Sequence, residues 1–157
     1  MTSESIDIHL DIGNMEVTRA GAVSCTLYLE IGNTFFPEKG WTDLASKLVP
    51  VWSEQLAVLL NSDIGVVDCH FMEGPFFFYV STDGDRDLTI ELVKRQLRGN
   101  KSSAHRVLVN DFVTRLLVAA NTLIQVAEEG KLAGDDYDNL RKAVATLETL
   151  RVTRSLH

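Results

Sequence analysis

The stretch Ile6 to Ile12, IDIHLDI, places Ile6, Ile8, Leu10 and Ile12 on one side of an extended chain and Asp7, His9 and Asp11 on the other. Strict two-residue alternation cannot serve a helix, so this segment is a strand with one apolar and one wet face. Residues 23 to 31, VSCTLYLEI, repeat the pattern, with Val23, Cys25, Leu27, Leu29 and Ile31 inward and Ser24, Thr26, Tyr28 and Glu30 outward. The row at residues 76 to 80, FFFYV, breaks the rule: Phe76 and Phe78 face one side, Phe77 and Tyr79 the other, and both sides need cover.

Three strands are expected in this part of the chain, over residues 65 to 72, 76 to 81 and 87 to 94. The turns Glu73-Gly74-Pro75 and Thr82-Asp83-Gly84-Asp85 would join them into an antiparallel meander. Upstream, GNTFFPEKGW reads as a turn region, broken by Gly32-Asn33, Pro37 and Gly40. A helix is predicted from about Thr42 to Leu60, capped by Thr42, with Leu44, Leu48, Trp52, Leu56 and Leu59 as its inward stripe and a kink at Pro50.

The remainder carries helical periodicity. Val109, Phe112, Val113, Leu116, Leu117, Ala120, Leu123, Ile124 and Ala127 share one helix face between about Ala104 and Glu129. Gly130 ends that helix, Gly134-Asp135 starts another, and RGNKSSAH reads as the linker from sheet to helices. The order ββαβββαα predicts an α+β fold: one antiparallel five-stranded sheet with helices on one face and a C-terminal helical hairpin. Residues 1–157 make a single domain, with sheet and first helix in about 5–95 and the hairpin in about 104–152.

A formal net charge of -7 argues against nucleic acid as a partner, because phosphate binding needs clustered Lys and Arg. The first residues, MTSES, have no basic start and no apolar run, and the apolar stretch from Val107 to Ala127 is broken by Asn110, Asp111, Arg115, Asn121 and Gln125. A cytoplasmic protein without a membrane span is expected. Cys25 and Cys69 lack CxxC spacing and read as buried free thiols.

No catalytic pattern emerges. His9 and His70 near Asp7, Asp11, Asp68 or Glu73 match no zinc-ligand spacing, DGDRD at residues 83 to 87 lacks most of a calcium loop, and no glycine pattern marks a nucleotide site. Neither enzyme activity, nor a metal, nor a cofactor is expected. The face opposite the helices collects Asp7, Asp11, Tyr28, Glu30, Asp68, Phe77, Tyr79 and Glu91, together with His9, His70 and Thr89. Aromatic rings within a carboxylate rim have the composition of a protein contact patch. Alternatively, Phe77 and Tyr79 stabilise a central strand as a cross-strand pair, or the C-terminal helices cover that face as a third layer.

Two stretches carry a family resemblance: IGNTFFPEKGWTDL leading into the Trp52 helix, and HFMEGPFFFYV. Together they resemble a group of small, largely uncharacterised bacterial proteins with an FPxxxWxD-like segment and an FMxGP-like turn, and these in turn resemble immunity proteins of bacterial toxin systems. The matching positions are Phe36, Pro37, Trp41, Asp43, Trp52, Phe71, Met72, Gly74, Pro75 and Phe76, within residues 23 to 95, and Pro50 is a departure. The resemblance implies a non-catalytic module that occludes a cognate toxin. The composition of the outer face, independently of the resemblance, offers Tyr28, Phe77 and Tyr79 as anchors and Asp7, Asp11, Glu30, Asp68 and Glu91 as an acidic rim. The other readings are a homodimer, buried through the same patch or the apolar face of the Val107 helix, and a small-ligand protein with a pocket between sheet and helices.

Overall fold

The alternating segments do form strands. In the computed structural model, which describes residues 2–155 and the side chains of residues 2–151, β1 (Ile6–Val17) and β2 (Val23–Ile31) pair antiparallel, Ile6 opposite Ile31 and Leu10 opposite Leu27. The register shifts between Asp11 and Glu16, beyond which β1 is exposed. Two short strands, β3 (Thr34–Phe36) and β4 (Thr42–Asp43), also pair with β2 and complete a four-stranded sheet. The helix α1 (Ala45–Asn61) follows. A second four-stranded antiparallel sheet then runs in the order β5 (Val66–His70), β6 (Phe76–Asp83), β7 (Asp87–Lys94) and β8 (Lys101–Leu108). The helices α2 (Val109–Gly130) and α3 (Asp135–Ser155) close the chain.

The protein is thus α+β, but the expected single five-stranded sheet is corrected to two sheets of four strands, in the order ββββαββββαα. The missed strands have physical reasons. β3 and β4 are three and two residues long, too short to display a period, and lie beside Pro37 and Gly40. RGNKSSAH is not a linker: most of it is β8, whose inward positions include Ser103 and His105, so its backbone pairs with β7 without an apolar alternation to announce it. Consequently α2 starts at Val109 and not near Ala104. Thr42 lies in β4 and caps nothing, and α1 runs unbroken through Pro50.

One contiguous apolar cluster takes side chains from both sheets and all three helices. Trp52, fully buried on α1, meets Phe71 and Phe78 edge-to-face with centroids 5.0 and 5.2 Å apart, and its indole N–H donates to the His70 carbonyl at 3.0 Å. Burying such a ring is favourable when its one polar atom finds an acceptor. On α3, buried Tyr137 donates its hydroxyl to the Gly21 carbonyl, tying that helix to the turn between β1 and β2.

The two sheets are joined at Asp43, which is 2% exposed. Its carboxylate accepts the Leu44 N–H at 2.7 Å, the Trp41 indole N–H at 3.1 Å, and the Met72 and Glu73 N–H groups at 3.1 and 3.2 Å. Around it Phe36 meets Phe71 and Phe76, and Trp41 meets Phe76 at 5.2 Å. Gly74 closes the turn with φ +74°, and a Cβ there would lie 3.3 Å from the Trp41 ring. At the opposite edge of the second sheet, the Glu4 N–H donates to the Arg106 carbonyl at 2.7 Å and the Ser3 hydroxyl to Asp87. That bond and the Arg106 guanidinium hold the Asp87 carboxyl below the usual carboxylate range.

Asp43→Ala leaves several buried or part-buried donors without an acceptor, and each such loss costs about 1–3 kcal/mol. A stability loss of about 3 kcal/mol or more is expected, measured by urea denaturation followed through tryptophan fluorescence.

Candidate functional site

The outward positions of β5 to β8 lie in cross-strand rows. Asp68, Tyr79, Glu91 and Ala104 form one row; His70, Phe77, Val93 and Ser102 form the next. The apolar alternation of these strands turns the opposite face to the helices, so the outward face carries no helical layer. The third-layer alternative is therefore set aside.

Phe77 nonetheless is only 4% exposed, and its cover is made of side chains. The His70 ring stacks on it at 5.1 Å and 15°, the Arg95 guanidinium lies 4.7 Å from its centroid, and Tyr79 meets it edge-on at 5.1 Å. Asp68 fixes the histidine through an Nε2 contact of 2.7 Å. The phenylalanine row thus has protein core on one side and a polar lid on the other. Tyr79, 39% exposed, is the aromatic ring that this face offers to solvent.

The first sheet builds a matching arrangement. Tyr28, 8% exposed, lies under the His9 ring at 4.6 Å and 20°, with Phe35 at its edge, and Glu30 holds His9 at 2.7 Å. Histidine, half apolar ring and half polar edge, can cover an aromatic face while its nitrogens stay wet or paired.

The eight site residues predicted from sequence therefore form two groups. Asp7, Asp11, Tyr28 and Glu30 share the outer face of the first sheet, whereas Asp68, Phe77, Tyr79 and Glu91 share that of the second. Asp7 faces Arg115 of α2 at 3.8 Å, and Asp11 accepts the Gly13 N–H at 2.8 Å. Tyr28 and Phe77 are foundations beneath stacked histidines, whereas Tyr79 is exposed between Asp68 and Glu91, its ring edge-on to Phe77. Sequence reasoning placed His9 and His70 on the right face but weighed them as metal ligands, and it missed Arg95, which lies outside the strands. The acid and histidine two residues apart at Asp68 and His70, on a strand paired with an aromatic one, are the signal that could have revealed the lid.

Other chemistry-bearing groups have structural partners. His105 Nδ1 lies 2.8 Å from the Glu4 carboxylate and Nε2 lies 3.0 Å from the Ser103 hydroxyl. Ser103 and His105 share a strand face by two-residue spacing, and Glu4 arrives on a backbone already bonded to β8. This acid–imidazole–hydroxyl chain is a tether for the N-terminal segment. Among the described residues, no group of three or more His, Cys, Asp or Glu side chains could hold a metal, and no helix is long and apolar enough to cross a membrane. On α2 the apolar face is taken up by neighbouring elements, leaving Val118 as its large apolar side chain exposed to solvent.

No protein-family model matches the chain, and neither a curated protein nor a solved structure is significantly similar to it.

Both cysteines are free and buried. Burial, with a smaller contribution from Asp11, pushes the Cys25 thiol up to about 11, and burial pushes Cys69 further up. Since the thiolate is the nucleophile, neither should react with a disulfide reagent in native protein at pH 8. Both should react once denaturant is added, a comparison read from thiol absorbance.

Proposed function

We propose that this chain is a protein-binding module that works by occlusion, in the manner of an immunity protein that covers the working surface of a cognate toxin. The observation that carries the reading is the helix-free outer face of the second sheet, where Tyr79 stands exposed with Asp68 and Glu91 directly opposite it on the neighbouring strands. A tyrosine buries a large area at low entropic cost, and a ring already braced by Phe77 loses less freedom still on docking. The surrounding carboxylates, in a chain of net charge -7, favour a basic partner by steering its approach and rejecting acidic competitors. The His9-covered patch of Tyr28 and Glu30 on the first sheet is a second acidic and aromatic surface of the same make, available as a separate contact.

The test is co-purification of the tagged protein with the product of the neighbouring gene, paired with rescue of cells in which that product is toxic. Stoichiometric capture with rescue is expected. Tyr79→Lys combined with Glu91→Lys, confirmed as folded by circular dichroism, should weaken the complex by about thirtyfold or more, the loss typical of a central anchor. Neither capture nor rescue would overturn the immunity role, and undiminished binding by the double variant would overturn the site.

A further inference from the structure

The inner face of the second sheet changes character along its strands. Under the helices its rows read Leu88 with Val107, then Val80, Ile90 and His105. The next row is Phe78, Leu92 and Ser103, and the last is Phe76, Lys94 and Lys101. There the cover ends: Lys94, Lys101 and Ser103 are exposed. Facing these rows, β3 and the turn after it, residues 34 to 38, form an opposing wall and enclose a cleft of about 390 Å³. Phe36, Phe76 and Leu92 supply its apolar surface, and Lys94, Lys101, Ser102 and Ser103 border it.

The charges at this cleft are unusual for the molecule. Lys94 and Lys101 are direct cross-strand partners, and like charges so placed oppose strand pairing. Neither lysine has a carboxylate partner among the described residues. The segment between them, KRQLRGNK, holds Lys94, Arg95, Arg98 and Lys101 without one acid, in a chain with 22 acidic and 15 basic residues. Glu38 also lines the cleft, so the lining carries two ammonium groups to one carboxylate. An arrangement that costs pairing energy and leaves two ammonium groups at the mouth of an apolar cleft is complementary to an anion with an apolar body.

We infer that the cleft binds a small amphipathic anion, its apolar part against Phe36 and Phe76 and its carboxylate or phosphate between Lys94 and Lys101. The volume lies in the range of small-molecule sites, about 300–1,000 Å³, and the walls on both sides favour a compact ligand over a broad partner surface. The Lys94 ammonium is 5.8 Å from the Phe76 ring centroid, so an anion held there lies next to the apolar floor. This site is on the face of the sheet opposite Tyr79 and is independent of the occlusion reading.

The experiment is a titration of isotopically labelled full-length protein, followed by amide chemical shifts, with phenylbutyrate, phenylbutyl phosphate and neutral phenylbutanol as probes. One or both anions should give saturable shifts confined to residues 34–38, 76 and 92–103, with the alcohol binding about tenfold more weakly for want of the charge-assisted bonds. Lys101→Glu should abolish anion binding while leaving the thermal midpoint unchanged or raised, because it converts the like-charge pair into an opposite one. Shifts that fail to saturate, shifts located elsewhere, equal binding of the alcohol, or undiminished binding by Lys101→Glu would each overturn the inference.

Discussion

Asp43 is the point through which the two sheets act as one body. A carboxylate has lone pairs enough for several donors, and here they serve the start of α1, the Trp41 indole and the turn between β5 and β6. Buried donors without a partner are costly, so one small side chain fixes the order of β4, α1 and β5 around the Trp52 core. The two stretches IGNTFFPEKGWTDL and HFMEGPFFFYV supply the two halves of this joint. Phe36, Trp41 and Asp43 come from one, and Phe71, Met72, Gly74 and Phe76 from the other. Their residue types answer to packing and hydrogen bonding, which accounts for their distinctive composition without assigning them any chemistry.

What could be read from the sequence followed from what declares a period. β1, β2, β7 and the apolar stripes of α1 and α2 bury large side chains at regular intervals, and their existence and type were legible. β8 was not, because an edge strand with Ser103 and His105 turned inward is held by its backbone ladder and by Glu4, neither of which leaves a hydrophobic trace. β3 and β4 were hidden by brevity. The division into two sheets was likewise invisible: alternation says which residues share a face of one strand, but the neighbours of that strand are set by long-range pairing. The candidate face suffered from this directly, since Asp7 and Tyr79 belong to the same kind of surface but to different sheets.

The histidine lids show how a sheet face can be apolar beneath and polar above. His70 over Phe77 and His9 over Tyr28 let strands keep the aromatic residues that favour extended structure without leaving a greasy surface. Arg95 completes one lid from outside the strand pattern. The outcome is a face on which Tyr79 projects from a rigid, already desolvated base.

The outer edge of β5 is occupied by α1. The Gln55 amide donates to the Asp68 carbonyl at 2.9 Å and the Trp52 indole to the His70 carbonyl at 3.0 Å, so backbone acceptors that would otherwise await another strand are satisfied from within. An unprotected edge invites any extended segment to add to the sheet, whatever its sequence. With this edge stopped by side chains, a partner docking on β5 and β6 in the proposed manner would be read by groups that single substitutions can exchange. Such a surface can acquire, refine or abandon a partner by changing a few exposed residues, while the hydrogen-bond ladder beneath it stays the same.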